Sequence, residues 1–186
     1  MIRSLLIFSA IMLTACASPN SEAGKVSHVV KPDSVELPKE SQIAGYWVVP
    51  DPKTKKTDCI VVSYEKDGIY YCRMVAVYDD YGNLTDTAKK CSQRAKAIKG
   101  SPLLCEFDMI WGLKFDGKKY TGGRIVDPDS GKVYDCDAWF SPSKDSLVIR
   151  GKLLIFGENV FWKRATELPD GAAVDLNSIV PNIVAK

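Results

Sequence analysis

The chain has 186 residues, of which 46% are hydrophobic and 26% are charged, and its formal net charge is +2. Positive and negative side chains are interspersed without a long basic run, which argues against nucleic acid as a partner. Apart from its N-terminal segment, the length suits one domain around one hydrophobic core.

The N-terminal segment has the features of an export signal. Arg3 precedes an apolar run over residues 5–13, which is too short to span a bilayer as a helix. The triplet Ala15-Cys16-Ala17 fits ordinary secretory cleavage, whereas the run from Leu13 to Cys16 resembles the bacterial lipobox. We favour the second interpretation, in which residues 1–17 hold the signal peptide and Cys16 becomes the lipid-modified first residue. Ala17 then points to the outer membrane.

These features predict a location and a domain plan. We expect an outer-membrane lipoprotein that faces the periplasm and is anchored through Cys16, or a periplasmic or secreted protein if Cys16 is not lipidated. Residues 18–42 are rich in Ser, Pro, Lys and Glu and predict a flexible tether. The folded domain is predicted over residues 43–165. Residues 166–186 form a C-terminal tail that either docks as a short helix or stays mobile.

The folded region alternates apolar and polar residues with period two, and turn signals recur every eight to twelve residues. Asp67-Gly68 and Asp116-Gly117 are typical of hairpin turns. The predicted strands are Gly45–Val49, Cys59–Tyr64, Ile69–Tyr78, Leu103–Phe115, Tyr120–Val126, Val133–Phe140, Ser146–Leu153 and Glu158–Arg164. Eight strands with mostly tight connections predict an all-β, antiparallel up-and-down barrel, because closure removes exposed edges. A β-sandwich is the alternative.

One connection, from Asp79 to Pro102, is long. Its stretch from Thr85 to Ile98 contains Ala, Lys, Gln and Arg, and we expect that it holds a short helix. Long ordered loops in compact domains are often functional, and this one is also a candidate lid on one end of the barrel.

Few residues in the folded region offer catalytic or metal-binding chemistry. The only histidine is His28, in the predicted tether, so a Ser-His-Asp or Cys-His arrangement and a histidine metal site are not expected in the barrel. The segment from Asp127 to Gly131 lacks ligands that a calcium loop needs and predicts a turn. We therefore expect no enzymatic activity, no metal and no cofactor.

Cysteine spacing gives no redox or zinc motif. The chain has six cysteines, no two of them at CxxC spacing, and either form of signal cleavage removes Cys16 from the disulfide count. Five cysteines then remain, so at least one is free or pairs between chains. Cys91 with Cys105 would tie down the long connection, but this pair is one of several possibilities. The pairing stays open.

The candidate ligand site is the inner face of the barrel. Alternation places the odd-numbered residues from Leu103 to Phe115 on one face, opposite a second apolar set on the strand from Val133 to Phe140. The candidate pocket residues are Phe107, Met109, Trp111, Tyr134 and Phe140. An eight-stranded barrel is near the size at which side chains alone fill the interior, so a packed core and a small-molecule pocket both stay open.

Several sequence blocks resemble one bacterial family. They are Gly45-Tyr46-Trp47, TGGRIVDPDSGKVYDCDAWF over residues 121–140, and SLVIRGKLLIFGENVFWKR over residues 146–164. Together they resemble the bacterial domain-of-unknown-function family number 2147. The chain departs from the usual pattern at Gly157-Glu158-Asn159, where the family typically has an arginine, so no role of that arginine is carried over.

This resemblance implies an exported, lipocalin-like barrel and no agreed reaction. It also implies that Trp47 and Arg164 stack and close one end of the barrel, which is a structural role. We therefore expect an envelope protein that binds a small apolar or amphipathic molecule. The alternative is a non-enzymatic scaffold whose long connection recruits another envelope protein.

Overall fold

The computed structural model describes residues 42–51, 53–153 and 156–184. The predicted signal peptide, the lipidation site at Cys16 and nearly all of the predicted tether lie outside these residues. The strands are β1 (Gly45–Pro50), β2 (Thr57–Lys66), β3 (Ile69–Tyr78), β4 (Leu84–Thr87), β5 (Asp108–Phe115), β6 (Tyr120–Val126), β7 (Val133–Phe140), β8 (Ser146–Leu153) and β9 (Phe156–Arg164).

Eight of the strands close into an antiparallel barrel. The hydrogen-bonded order is β2-β1-β9-β8-β7-β6-β5-β3-β4, and β2 also pairs with β3, which completes the ring. Strand β4 lies outside the ring, beside the end of β3. The predicted up-and-down barrel is thus confirmed, and closure leaves none of its eight strands as a free edge.

The long connection differs from the prediction. Among the described residues no helix occurs, and the predicted helix between Thr85 and Ile98 is wrong. The connection instead contains β4, a series of turns and an isolated bridge between Arg94 and Leu103. The strand predicted from Leu103 begins only at Asp108. No helix of the described chain has the length and hydropathy needed to cross a membrane.

Strand β5 carries a bulge that breaks its alternation. Cys72 on β3 pairs with Ile110, while Tyr70 pairs with Leu113, so β5 has one residue more than its partner in this interval. An extra residue moves the following side chains to the opposite face. A single odd-numbered inward face from Leu103 to Phe115 is therefore wrong.

The barrel has one apolar cluster inside and a second on its outer wall. Trp47, Cys72, Leu113, Cys136 and Trp162 belong to the inner cluster. The outer cluster joins the outward faces of β2 and β3 to the C-terminal tail. Its buried members are Ile60, Val62, Tyr64, Val75, Ala76, Ala172 and Ile179.

The tail docks on the barrel without forming a helix. The Tyr46 hydroxyl donates to the Val174 carbonyl at 3.1 Å and accepts from the Val174 amide at 3.0 Å. Further along, the Asn182 amide donates to the Asp108 carboxylate at 2.6 Å, and the Asp108 amide donates to the Asn182 carbonyl at 2.8 Å. These contacts hold the tail over apolar residues that would otherwise face water.

Candidate functional site

One end of the barrel is closed by a tryptophan and an arginine. The guanidinium carbon of Arg164 lies 3.9 Å from the centroid of the Trp47 ring. Arg164 also donates to the Ala44 carbonyl at 2.7 Å and to the Gln42 carbonyl at 2.6 Å. A planar guanidinium has the shape for both roles, since its face stacks while its edge donates.

Gly45 makes room for this arrangement. Its φ is +120°, and a Cβ at this position would lie 2.5 Å from Nη1 of Arg164. The Trp47 indole nitrogen donates to the Ile43 carbonyl at 2.9 Å, which fixes the ring in place. The Gly-x-Trp sequence and Arg164 therefore form one structural unit.

Large side chains fill the interior next to this closed end. The inner cluster includes fully buried Tyr120, Leu147 and Trp162. Phe140 packs beside Trp47 with ring centroids 6.0 Å apart. This half of the barrel is a packed core.

The opposite half contains a cavity of about 700 Å³. It lies where β6 ends and β7 begins, at the end of the barrel away from Trp47 and Arg164. Most of its lining is apolar. The lining residues are Met109, Ile125, Val126, Asp127, Pro128, Tyr134, Ile149, Gly151, Glu158 and Val160.

Two carboxylates lie at the cavity rim, and they differ in their partners. Asp127 accepts from the Asp129 amide at 3.0 Å and from the Ser130 hydroxyl at 2.6 Å, so its carboxylate organises the β6–β7 turn. Glu158 is exposed and lies opposite Gly151 in the β8–β9 pairing. Gly151 has no side chain, and a Cβ at this position would lie 3.6 Å from Cγ2 of Ile125.

The five predicted pocket residues occupy different places. Met109 and Tyr134 are among the residues that line the cavity. Phe107 is fully buried in the inner core ahead of β5, and Phe140 lies near Trp47 at the packed end.

Trp111 occupies a different face. It pairs with Arg124, whose side chain is 54% exposed, and it is only half-buried. Directly paired residues on neighbouring strands share a face, so Trp111 lies on the same face as Arg124 and not among the cavity residues. Its half-buried ring still packs against residues of the inner cluster. The bulge in β5 is the reason that alternation placed it inside.

Sequence reasoning missed the residues that form most of the cavity wall. Ile149 and Val160 face each other across β8 and β9, and Ile125 pairs with Ile110 beside them. A signal for the first two was present, because their strands were predicted and because Ile149 and Val160 lie two residues from buried Leu147 and Trp162.

The long connection lies against the rim of the cavity. Gly131 in the β6–β7 turn has φ of +68°, and a Cβ there would lie 2.5 Å from the Ala97 carbonyl oxygen. Backbone bonds from Ala95 to Pro102 and from Leu104 to Gln93, each 2.9 Å long, tie the two sides of the connection together.

A single carboxylate organises the start of this connection. Asp86 is 3% exposed and accepts from the Gln93 amide at 2.7 Å, the Ser92 amide at 2.9 Å and the Ser92 hydroxyl at 2.9 Å. Burial pushes the pKa of Asp86 upward, but the hydrogen bonds from Gln93 and Ser92 outweigh it and hold the pKa below the usual range. The residues that follow β4 therefore fold around an ionised side chain.

The described residues offer no built metal or nucleophilic centre. No group of three or more His, Cys, Asp or Glu side chains in this part of the chain is arranged to hold a metal ion. Burial, with smaller contributions from nearby groups, raises the pKa of Cys59, Cys105 and Cys136 and raises that of Cys72 to about 12. Thiols with such values are poor nucleophiles at neutral pH.

Residues 45–164 match the model of a family described as uncharacterized proteins conserved in bacteria, DUF2147. The chain belongs to this family. The match begins at Gly45 and ends at Arg164, so it spans the barrel from the first residue of β1 to the last residue of β9. The closed end of the barrel and the cavity of this DUF2147 chain both lie within it.

Among solved structures, the chain is similar to the protein HP1028 from Helicobacter pylori, which is described as belonging to the lipocalin family. The two share 17% sequence identity with a TM-score of 0.54, over 68% of this chain and 84% of that one. At this identity the likeness shows a lipocalin-like fold for the DUF2147 domain. No curated protein matches the chain.

Proposed function

We propose that this DUF2147 protein binds a small apolar or amphipathic molecule in the open half of its barrel and carries no enzymatic activity. The cavity supports this proposal. Its volume of about 700 Å³ lies within the range of ligand sites, which is roughly 300–1,000 Å³, and such sites are mainly apolar with few polar groups. The packed half of the barrel, next to Trp47 and Arg164, forms the bottom of this cavity.

The polarity of the cavity favours an apolar or amphipathic ligand. Apolar side chains from β5, β6, β8 and β9 surround its body, and Glu158 stands at the rim. An apolar portion placed among Met109, Ile149 and Val160 leaves a polar end near water. Burial of an apolar group contributes about 25 cal/mol for each Å² removed from water, so the body of the ligand supplies most of the binding free energy.

The test is titration with N-phenyl-1-naphthylamine, an apolar dye whose fluorescence rises when it leaves water. We expect saturable binding to the wild-type protein. Val160→Trp fills the cavity and is expected to weaken binding at least tenfold. Phe161→Trp is the matched control, because Phe161 is the next residue on β9, is 52% exposed and is not among the lining residues.

Two results would contradict the proposal. One is a wild-type protein that shows no saturable dye binding and carries no ligand in native mass spectrometry after purification from its own cell. The other is equal binding by Val160→Trp and Phe161→Trp, which would place the dye outside the cavity.

We also propose that the protein is exported to the bacterial envelope and anchored through a lipid on Cys16. The short apolar run and the lipobox-like sequence ending at Cys16 support this. Labelled palmitate is expected to be incorporated into the wild-type protein and not into Cys16→Ser. A protein that is exported but takes up no label would instead support ordinary signal cleavage.

A second candidate function is recruitment of an envelope protein through the long connection. It is favoured by Tyr81, which is 82% exposed, with Leu84 exposed nearby. A photo-crosslinker at position 81 tests it in cells. A reproducible partner that is lost on Leu84→Glu would support this function, and the absence of any crosslinked partner would remove it.

A further inference from the structure

Two thiols in the long connection lie next to each other. The Cys105 amide donates to Sγ of Cys91 at 3.3 Å. Burial and, after it, the neighbouring Cys91 thiol raise the pKa of Cys105. Cys91 is half-buried, whereas Cys105 is buried.

The backbone alone brings these residues together. The isolated bridge between Arg94 and Leu103, and the bond from the Leu104 amide to the Gln93 carbonyl at 2.9 Å, form a short two-sided ladder. Cys91 and Cys105 lie at its end, so their approach does not depend on an attraction between the sulfur atoms.

We propose that Cys91 and Cys105 form a disulfide bond in an oxidising compartment, and that this bond locks the long connection against the cavity rim. The bond closes a loop between residues 14 positions apart in sequence. It constrains the part of the chain whose Ala97 carbonyl lies against Gly131. The occurrence of the bond in cells rests on the proposed export.

The chemistry is thiol–disulfide exchange with a small-molecule disulfide as the oxidant. The Cys91 thiolate attacks one sulfur of the oxidant and releases one thiol, which leaves a mixed disulfide on Cys91. Cys105 lies beside Sγ of Cys91, so the second step is intramolecular. Cys105 gives its proton to solvent, its sulfur attacks Sγ of Cys91, and the second thiol is released. Two cysteine thiols lose two protons and two electrons, and the oxidant is reduced to two thiols.

The other three cysteines are kept out of this exchange by their position. Cys59, Cys72 and Cys136 are buried in the inner cluster. Cys72 pairs with Ser63 and Cys59 pairs with Val77, so the two cysteines of the β2–β3 hairpin are not opposite each other. Exchange needs an accessible thiolate, and half-buried Cys91 is better placed to start it.

Peptide mapping tests the pairing directly. Trypsin places each of the five cysteines after Cys16 in its own peptide, and these peptides are residues 57–66, 67–73, 91–94, 100–114 and 133–144. The full chain is equilibrated with oxidised glutathione, blocked with N-ethylmaleimide, denatured and digested without reductant. We expect peptide 91–94 joined to peptide 100–114, with the other three cysteines alkylated. A link to any other cysteine, or alkylation of all five, would overturn the proposal.

A melting experiment tests the locking role. Oxidation is expected to raise the melting temperature on the order of 5 °C, because closure of a loop of this length restricts the unfolded chain. The shift should persist in Cys136→Ala and vanish in Cys91→Ser. Comparison of oxidised and reduced forms within each variant removes any effect of the substitution itself. An unchanged wild-type melting temperature, or a shift that survives in Cys91→Ser, would contradict the locking role.

Discussion

Arg164 shows how one side chain joins the first and last strands of the barrel. It stacks on Trp47 of β1 while it donates to two carbonyls that precede β1. A lysine supplies the same charge, but it has neither the planar face nor the fork of donors. The contact therefore depends on the shape of the guanidinium as well as on its charge.

We expect Arg164→Lys to lower the free energy of unfolding by about 1–2 kcal/mol, from the lost stacking and one lost hydrogen bond. Urea unfolding followed by tryptophan fluorescence measures the change. Arg124→Lys is the control, because the Arg124 side chain is largely exposed and its pair with Asp135 lies in solvent. Equal effects of the two substitutions would show that stacking on Trp47 contributes little.

Asp86 is the second residue whose role is structural. Asp86→Asn keeps the size but places an NH₂ group among N–H donors, so at neutral pH we expect a loss of about 2–3 kcal/mol from charged hydrogen bonds to a buried group. Urea unfolding at a series of pH values measures the loss. Asp129→Asn, at an exposed turn position, is the control.

The effect of Asp86→Asn should depend on pH in a known direction. The pKa of Asp86 in the folded protein is below its ordinary value of 3.8, so its contribution is complete above that value and is lost as pH falls through the lower folded pKa. The difference in the free energy of unfolding between wild type and Asp86→Asn should therefore be constant near pH 7 and should shrink in strongly acidic solution. A gap that does not change with pH would mean that the carboxylate charge is not the cause.

At the scale of elements, sequence patterns predicted the hairpins well and the long connection poorly. Strands β3, β6 and β7 begin and end at the predicted residues, because local turn chemistry and alternation specify them. The residues after β4 were predicted as helix from their composition, but the buried contacts of Asp86 decide their path. These contacts span only six and seven residues, but they depend on a buried side chain, which composition alone does not reveal.

The contrast between local patterns and contacts with other strands also explains which residues of the candidate site were predicted correctly. Met109 and Tyr134 line the cavity, whereas the bulge in β5 turns Trp111 toward Arg124. A bulge depends on register with the neighbouring strand, here on the pairing of β5 with β3, and alternation within one strand does not reveal it. Within the β5 sequence, Gly112 was the only local feature that indicated a bulge.

The C-terminal tail is held by a buried ion pair on the outer wall. Nη2 of Arg73 lies 3.1 Å from the Asp108 carboxylate, whose side chain is 0% exposed, and the Tyr64 hydroxyl donates to the same carboxylate at 2.8 Å. Arg73 also donates to the Val180 carbonyl at 2.8 Å. The carboxylate thus links β2, β3 and the tail.

We expect Asp108→Ala to lower the free energy of unfolding by about 3–5 kcal/mol, since it leaves Arg73 partly buried without its partner. The tail should also become the first site of cleavage in limited proteolysis with thermolysin, which cuts before apolar residues such as Leu176 and Ile179. Asp135→Ala is the matched control, because it breaks an ion pair whose side chains are 54% and 71% exposed, worth less than about 1 kcal/mol. An intact tail in Asp108→Ala would show that apolar contacts alone hold it.

At the scale of the whole molecule, the barrel separates two apolar surfaces. The inner surface is packed at the Trp47 end and holds a cavity at the other, so one ring of strands contains both a closed end and a cavity. The outer surface on β2 and β3 is covered by the tail. The buried side chains of the two surfaces are different, although Val184 near the end of the tail packs against the inner cluster. Substitutions in the buried part of one surface should therefore have little effect on the other.

Deletion of residues 167–186 tests this independence. We expect the free energy of unfolding to fall by about 3 kcal/mol or more, because Ile179 and Ala172 no longer cover Ile60, Val62 and Val75. The naphthylamine dye should gain a new, weaker binding phase on the exposed wall, while the tight phase in the cavity remains and is still removed by Val160→Trp. A deletion variant that loses the tight phase while it stays folded by circular dichroism would show that the tail shapes the cavity, and the two surfaces would then have to be treated as one.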